Sequence, residues 1–292
     1  MAMKGARVVL ACRDIQKCQV ALDNLERSTG SNNFSVGQLD LTDVKSIQTF
    51  ASSLDRCDIL VNNAGAMFPN LTYKSFLSTE TEQTFLTNYI GPFLLTMYIL
   101  PILQRTSIEN NNSEVRIVNV SSRLEKKATI PKDINDRSDG LGLVSLLCQG
   151  PSPYSLWTSY GNSKLCNVLF TSGLYLLLQQ HPPWKEKGNV TVVAMTPGLV
   201  NSSLSRWAPS YWLWLSYPIR PFLMRSCDQA AADVTFVATS PILKNMSGKF
   251  VDGQGKVVVG ASPAVNDQEL IRQLWDQTAD LLAPVLSLPK WK

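Results

Sequence analysis

Continuous runs of apolar residues recur along the chain and predict buried strands. They lie at 7–12, 34–39, 58–61, 115–120, 190–195 and 248–251. Runs without polar alternation are typical of strands covered on both faces of a parallel sheet. Between them, segments with helical character lie at 15–28, 44–54, 160–180, 227–240 and 267–282. Strands that alternate with helices predict an α/β protein with a parallel sheet.

A further long apolar segment follows Thr79-Glu80-Thr81-Glu82. These four residues have the form of a capping box, in which a hydroxyl and a carboxylate satisfy the first amides of a helix. We therefore expect a helix that begins there and continues to about Gln104. Gly91-Pro92 lies inside this segment, and a proline after a glycine is a common cause of a helix kink.

Composition narrows the class of protein. The 292 residues are 45% hydrophobic and 17% charged, which is enough to bury one core, so residues 1–292 are expected to form a single domain. The net charge is +4 and no basic run is interleaved with aromatics, so nucleic acid is not an expected partner. The single histidine, His181, leaves little material for a histidine-based triad or metal site.

Six cysteines lie scattered without paired spacing. This distribution predicts reduced thiols in a cytoplasmic or cytosol-facing protein, with no disulfide framework. No run of 18 or more uncharged apolar residues is evident, so we expect no transmembrane segment.

The candidate chemistry lies between the strand at 115–120 and the helix that follows it. The strand ends in Ser121-Ser122, and Tyr160-Gly161-Asn162-Ser163-Lys164 begins the helix. Residues i and i+4 share a helix face, so the Lys164 ammonium is expected near the Tyr160 phenol, where it would lower the pKa of the tyrosine. Ser122, with Ser121 as the fallback, would hydrogen-bond the same substrate oxygen. This set suits redox chemistry on an alcohol or carbonyl, with a nicotinamide carrying the hydride.

These residues resemble the short-chain dehydrogenase/reductase superfamily over residues 4–282. Within it the chain is similar to the retinol-dehydrogenase-like group, which includes the WW-domain-containing oxidoreductase. The resemblance implies a Rossmann-type doubly wound parallel sheet. It also implies NADP-dependent interconversion of a lipophilic alcohol and its aldehyde or ketone, with Tyr160 as the acid/base and Lys164 as its pKa modulator and ribose contact.

The resemblance also assigns cofactor contacts along the chain. Arg13, after the first strand present, favours the 2′-phosphate of NADP over NAD, although a solvated arginine at a strand end is the alternative. Asp40 would lie beside the adenine, while Thr42 or Asp43 caps the next helix. The cofactor-binding residues implied are Arg13, Asp40, Asn62, Ala64, Gly65, Tyr160, Lys164, Pro197, Gly198, Val200 and Ser202.

Asn88 is a further catalytic candidate. In relatives the corresponding asparagine holds a water that relays protons towards the active-site lysine. The alternative is an asparagine that stabilises the kink at Gly91-Pro92.

Three segments suggest partners. Residues 123–157 form an insertion beside the active site, and residues 199–227, rich in tryptophan and tyrosine, suggest a lid over an apolar substrate. Peripheral membrane contact and simple packing are the other interpretations of that aromatic segment. The helix at 160–180 is apolar on two sides, which suggests a homodimer.

One departure from the family pattern is large. No Gly-x-x-x-Gly-x-Gly occurs anywhere, so the loop that binds the pyrophosphate is missing, together with the strand before it. We expect a truncated form whose sheet has two unpaired central edges. Two hypotheses follow: an active NADP-dependent oxidoreductase, or a catalytically silent truncated isoform or interaction protein. A sugar-nucleotide epimerase is disfavoured by Asn62-Asn63-Ala64-Gly65 and by the short C-terminal region.

Overall fold

The parallel strands predicted from the apolar runs are present, in two separate sheets. The computed structural model describes residues 1–130, 142–185, 187–200 and 225–291. The strands are β1 (Val8–Cys12), β2 (Phe34–Gln38), β3 (Ile59–Asn62), β4 (Tyr73–Phe76), β5 (Thr79–Glu82), β6 (Val115–Val120), β7 (Val190–Thr196) and β8 (Phe250–Asp252). The fold is the doubly wound α/β class that the sequence predicts.

The larger sheet has the order β3-β6-β7-β8, and all its neighbouring pairs are parallel. β6 is buried at all six of its positions, and β7 at every position after Val190. This burial accounts for their uninterrupted apolar sequences, because a strand covered on both faces has no position for a solvated side chain.

The smaller parallel sheet contains β1 and β2, with Val8 opposite Phe34 and Cys12 opposite Gln38. Among the described strands, β1 pairs with β2 alone and β3 pairs with β6 alone, so both are edge strands. Val9, in the middle of β1, is 42% exposed although its sequence predicts a buried strand. Among the described residues β1 has a neighbouring strand on one side only, so Val9 lacks the cover that a second neighbouring strand would give.

Helices connect the parallel strands at the predicted places. They are α1 (Ile15–Thr29), α2 (Val44–Ser52), α3 (Gln83–Phe85), α4 (Gly91–Glu109), α5 (Leu143–Gln149), α6 (Leu156–Gln180), α7 (Pro182–Lys185), α8 (Cys227–Thr239) and α9 (Gln268–Leu282). Carboxylates of Asp14, Asp43 and Asp267 accept the first free amides of α1, α2 and α9. These caps fix where each chain reversal ends and each helix begins.

The capping box predicted at Thr79–Glu82 is wrong. Those residues form β5, which pairs antiparallel with β4 through a turn at Leu77 and Ser78. Both turn residues have positive φ, at 48° and 67°, as a two-residue hairpin turn requires. Glu82 instead caps the helix, because its carboxylate accepts the amides of Thr84 and Phe85.

The helix after the hairpin differs from the simple kink expected at Gly91-Pro92. A π turn spans Leu86–Ile90 and α4 continues from Gly91 to Glu109. A side chain on Gly91 would come within 2.1 Å of the carbonyl oxygen of Leu41. The glycine therefore permits close packing of the helix against the loop after β2.

Helix α6 is covered within the single chain. Phe170 on α6 lies 4.6 Å from Phe93 of α4, ring centre to ring centre, and Trp275 of α9 lies 5.1 Å from Phe93. Gly173 leaves space for Ile271 and Trp275. The apolar faces that suggested a homodimer are thus accounted for by α4 and α9, and the dimer remains a prediction.

One helical stretch of the described chain, Gln83–Glu109, is long and apolar enough by composition to cross a membrane. In the fold, 78% of the 18 most apolar consecutive residues of this stretch is buried inside the protein. A core helix of this kind is weak evidence for a membrane span.

The prediction that all six cysteines are reduced thiols is wrong for one pair. Cys12, at the end of β1, is joined by a disulfide to Cys18 in the first turns of α1. The chain reverses between them and brings their Cα atoms to 6.4 Å, within the usual range for a bridge. Cys57, Cys148 and Cys166 are free. The spacing of the cysteines in the sequence does not indicate this pair, because the chain reversal between β1 and α1 brings the two residues together.

Candidate active site

The two serines after β6 take different positions. Ser121 Oγ is buried and donates to the carbonyl oxygen of Lys164 at 2.7 Å, which ties β6 to α6. Ser122 caps the short 3₁₀ turn Arg123–Lys127, and its Oγ accepts the Leu124 amide at 3.2 Å. Ser122 also hydrogen-bonds the side chain of Tyr160. The second serine, preferred from the sequence, is therefore the one beside the tyrosine.

Tyr160 lies near the start of α6, which begins at Leu156 with Ser155 as its cap. Burial raises the pKa of Tyr160 to about 12, and the hydrogen bond with Ser122 opposes this only in part. The predicted lowering of the Tyr160 pKa is therefore wrong, because the loss of hydration on burial outweighs the one opposing contribution, the hydrogen bond with Ser122. At neutral pH the phenol is protonated.

Lys164 lies one turn further along the same face of α6, as the spacing predicts. Its Nζ is 5.5 Å from the centre of the Tyr160 ring and donates to the carbonyl oxygen of Val120 at 2.9 Å. Burial lowers the pKa of Lys164 to about 8. A Cβ on Gly65 would lie 3.2 Å from this Nζ, so the glycine leaves room for the ammonium group.

Asn88 joins three parts of the site. Its Oδ1 accepts the Ala66 amide at 2.7 Å, and its Nδ2 donates to the Ala66 carbonyl oxygen and to Ser163 Oγ at 2.9 and 3.0 Å. The residue is fully buried in the π turn. These bonds hold the segment after β3 against α6. The water relay through Asn88 stays a prediction.

Asn62, at the end of β3, belongs to a buried chain of amides and hydroxyls. Its Nδ2 donates to Thr96 Oγ1 and to Asn119 Oδ1, each at 2.8 Å, and Asn119 Nδ2 donates to Thr171 Oγ1 at 2.9 Å. The chain links α4, β3, β6 and α6. Asn62 therefore braces the sheet immediately before Ala64 and Gly65, which were predicted to line the cofactor channel.

A cluster of charges lies where β1 and β2 end. Asp40 Oδ1 accepts the Thr42 amide and hydroxyl at 2.9 and 2.6 Å, and Lys74 Nζ lies 3.7 Å from Asp40 Oδ2. Burial raises the pKa of Asp40, but the Thr42 hydrogen bonds and the charges of Lys74 and Arg13 outweigh it and hold that pKa below its usual value. The charge of Arg13 therefore acts on Asp40, and Lys74, which was not predicted from the sequence, contacts the same carboxylate.

The segment after β7 is described only in part. Pro197 and Gly198 follow Thr196, and Gly198 has a φ of 81°, which favours glycine. Val200 forms a bridge with Arg225, and the Arg225 amide donates to the Leu199 carbonyl oxygen at 2.7 Å. The ends of the segment predicted as a lid thus lie side by side. Ser202 and most of residues 199–227 lie outside the described residues, as does part of the 123–157 insertion.

Part of this site fits a nicotinamide dinucleotide. The Lys164 ammonium has three N–H donors, and Val120 is its one hydrogen-bond acceptor among the described residues. The hydroxyls of a nicotinamide ribose would take up the remaining donors. Arg13 and Asp40 fit the adenosine end. For the pyrophosphate, residues 1–292 contain no Gly-x-x-x-Gly-x-Gly motif of the usual kind.

A parallel α/β sheet that presents a serine beside a tyrosine and lysine of one helix defines an oxidoreductase acting on alcohols or carbonyls. A profile described as short chain dehydrogenase matches residues 1–131. Retinol dehydrogenase 13 of Mus musculus is 33% identical over 292 residues, covering 97% of this chain and 78% of the relative. The chain belongs to the short-chain dehydrogenase family.

Other relatives lie within the same family. Retinol dehydrogenase 11 of Homo sapiens is 31% identical over 97% of this chain and 80% of its own length. The chloroplastic short-chain dehydrogenase TIC 32 A of Brassica napus is 30% identical over 99% of this chain and 84% of its own length. The chain is thus a retinol-dehydrogenase-like member of the family.

Solved structures agree on the fold. An uncharacterized protein of Mycobacterium paratuberculosis superposes with a TM-score of 0.67 at 27% identity, covering 99% of this chain and 87% of that one. The NADP complex of Pseudomonas aeruginosa RhlG gives a TM-score of 0.58 at 20% identity, with 87% of each chain covered. The second likeness supports the fold alone.

Proposed function

We propose that this protein interconverts a lipophilic alcohol and its aldehyde or ketone, with NADP rather than NAD as its cofactor. The observation that carries the proposal is the buried arrangement of Ser122, Tyr160 and Lys164. The names of the relatives make retinol and retinal the first substrate pair to test. Arg13 beside Asp40 supports the choice of NADP, since an arginine after this strand accommodates a 2′-phosphate.

The residues have distinct places along the cofactor. Arg13 and Asp40 would hold its adenosine end. Gly65 and Lys164 would hold the nicotinamide ribose. Asn62 and Ala64 would shape the channel between them, and Pro197, Gly198, Val200 and Ser202 would contact the nicotinamide.

The nicotinamide, when bound, supplies or accepts the hydride. In reduction, Tyr160 Oη donates a proton to the substrate oxygen, and the alcohol forms. Ser122 Oγ donates a hydrogen bond to the same oxygen and stabilises its developing charge. At neutral pH a phenol with a pKa of about 12 is protonated, as the proton donor of the reduction must be. Lys164 compensates the charge that the tyrosine then carries, and Asn88 would hold the water that returns a proton.

The remaining parts of the proposal concern the surroundings of the site. Residues 199–227 would close over an apolar substrate, and Leu199, the first residue of this segment, is 63% exposed. We place the protein in the cytoplasm or facing it, with peripheral membrane contact through this segment. We also propose that the protein is a homodimer, as the apolar helix at 160–180 suggests.

The test is reduction of retinal with NADPH by the wild-type chain and by Tyr160→Phe. Loss of the proton donor lowers turnover by at least about 100-fold, the usual contribution of general acid catalysis. Tyr175→Phe is the matched control, since Tyr175 lies on α6 about 22 Å further along the axis. Equal turnover in wild type and Tyr160→Phe would overturn the assigned mechanism.

A second candidate is a catalytically silent protein of the same fold, since residues 1–292 contain no Gly-x-x-x-Gly-x-Gly. Thermal unfolding with and without cofactor separates the two. NADPH at about 100 times its dissociation constant adds about 2.7 kcal/mol to the free energy of unfolding, whereas NADH at the same concentration adds less. A melting temperature that neither nucleotide changes would support the silent protein.

A further inference from the structure

Lys74 reaches the adenosine end of the proposed cofactor site from the β4–β5 hairpin. Along β4, side chains alternate between the two faces of the hairpin. Phe76 is 3% exposed and belongs to the main core, so Lys74, two residues before it, lies on the same inward face. Across the hairpin Lys74 pairs with Thr81, which is fully buried. The lysine is thus directed towards the body of the protein by the strand itself.

Its contacts are with the residues that follow β2. Lys74 Nζ lies 3.7 Å from Asp40 Oδ2 and hydrogen-bonds Thr42 Oγ1. Arg13, at the end of β1, acts on the same carboxylate through its charge. Two cations from separate parts of the chain therefore converge on Asp40.

The balance of charge in this cluster is positive. Lys17 pairs with Asp14 at 3.1 Å, so these two neighbours of Arg13 cancel. Asp40 offsets one of the remaining cations, and one positive charge is left in excess. Without Lys74 the cluster would be neutral, and it would attract a phosphate dianion much less strongly.

We propose that Lys74 is a specificity-determining residue that, with Arg13, binds the 2′-phosphate of the cofactor. This inference rests on the proposed function and extends the cofactor site to Lys74 on β4, away from β1 and β2. Lys74 has two tasks at this place. It neutralises Asp40, which would otherwise repel the phosphate, and it places an ammonium group, itself an N–H donor, beside Asp40.

The experiment uses two nucleotides that lack the nicotinamide, so it does not depend on turnover. Adenosine 2′,5′-bisphosphate carries the 2′-phosphate, and adenosine 5′-monophosphate does not. Dissociation constants for both are measured by calorimetry with wild type, Lys74→Gln and Lys74→Arg. Lys45→Gln, which removes an exposed lysine from the first turn of α2, is the charge-matched control.

We expect Lys74→Gln to weaken binding of the bisphosphate by about tenfold or more, as for loss of one charge-assisted contact. Binding of the monophosphate changes less than about twofold, because the adenine contacts remain. Lys74→Arg keeps most of the preference for the bisphosphate, and Lys45→Gln leaves both constants unchanged. A steeper salt dependence for the bisphosphate in wild type than in Lys74→Gln would add independent support.

The measured dissociation constants distinguish failure of this inference from failure of the proposed function. If wild type prefers the bisphosphate and Lys74→Gln retains that preference, the role of Lys74 is overturned while NADP binding stands. An equal loss of both nucleotides would make Lys74 a support for Asp40 and would also overturn the inference. If wild type binds both nucleotides equally well, the NADP preference fails together with this inference. If it binds neither, the proposed cofactor site itself is wrong.

Discussion

The two parallel sheets of this protein differ in how completely they are enclosed. All six residues of β6 are buried, with β3 on one side and β7 on the other. In β1 every position is at least partly exposed, and β2 is its one described neighbour. The reacting groups lie on the enclosed sheet and its helix α6, while the charges that would recognise adenosine lie on the open one.

This difference in enclosure suggests that catalysis and nucleotide recognition make different demands on the two sheets. A proton donor must be held in a dry place with fixed geometry, and this needs packing on all sides. Recognition of a charged, hydrated nucleotide end works at a surface, where Lys74 and Asp40 keep partial contact with water. The enclosed sheet is thus expected to control the rate of reaction, and the open sheet to control cofactor affinity.

The largest expected effect comes from the enclosed sheet. Ser122→Ala lowers kcat by about 100- to 1,000-fold, as for loss of one donor to a developing oxyanion. Arg13→Gln, on the open sheet, raises KM for NADPH about tenfold or more with little change in kcat. Steady-state kinetics with retinal and NADPH measures both.

Ser121→Ala is the matched control for Ser122→Ala. It removes the hydrogen bond to the Lys164 carbonyl oxygen and costs about 1 kcal/mol of stability, with kcat within a few-fold of wild type. A loss of kcat in Arg13→Gln as large as in Ser122→Ala would contradict the division between the sheets.

The next effect compares two valines of equal size. Val118, on β6, is fully buried, whereas Val9, on β1, is 42% exposed. Val118→Ala lowers the free energy of unfolding by about 2 kcal/mol, since it loses burial and leaves a cavity, and Val9→Ala lowers it by less than about 1 kcal/mol. Urea unfolding measures both values, and equal losses would show that the open sheet is covered in solution.

The smallest effect tests the charge that the enclosed sheet buries. Burial lowers the pKa of Lys164 from 10.5 to about 8, so between these values the unfolded chain binds a proton that the folded chain lacks. The contribution of Lys164 to stability therefore rises with pH in this window. Relative to Lys164→Met, the wild-type free energy of unfolding increases by about 1–2 kcal/mol between about pH 8 and 10.

The comparison with Lys164→Met is needed because other groups titrate in the same range. Burial raises the pKa of Cys148 to about 11 and of Cys57 to about 12, and both thiols make the folded chain less stable as pH rises. These thiols are present in both proteins, so their contributions cancel in the difference. A difference that does not change with pH would mean that Lys164 is hydrated.

The apolar patterns are sufficient to predict where the parallel strands and the long helices lie, but not that β1 is partly exposed. The spacing of Tyr160 and Lys164 correctly predicts that both side chains share one face of α6, and the position of Ser122 after β6 correctly predicts that it lies beside the tyrosine. Spacing carries no information about hydration, however. The predicted direction of the Tyr160 pKa is therefore wrong, because burial decides it and depends on the whole fold.

The hairpin was missed for a different reason. Thr79-Glu80-Thr81-Glu82 satisfies the sequence rule for a helix cap and equally suits an alternating strand. Its turn places Leu77 and Ser78 at positive φ, where glycine or asparagine would have signalled a hairpin. Leu77 packs against the main core, and this packing offsets the cost of its backbone conformation. Because the hairpin was missed, Lys74 had no predicted place.

The buried chain from Thr96 through Asn62 and Asn119 to Thr171 also bears on how the enclosed sheet assembles. Asn62 and Asn119 are register partners on β3 and β6. A slip of one residue would turn each amide to the opposite face and leave buried donors and acceptors without partners. Apolar strands such as these could pair in several alignments with similar burial. The hydrogen bonds of the two asparagines thus favour the native register of β3 and β6, and this register sets the position of Ser122 relative to Tyr160.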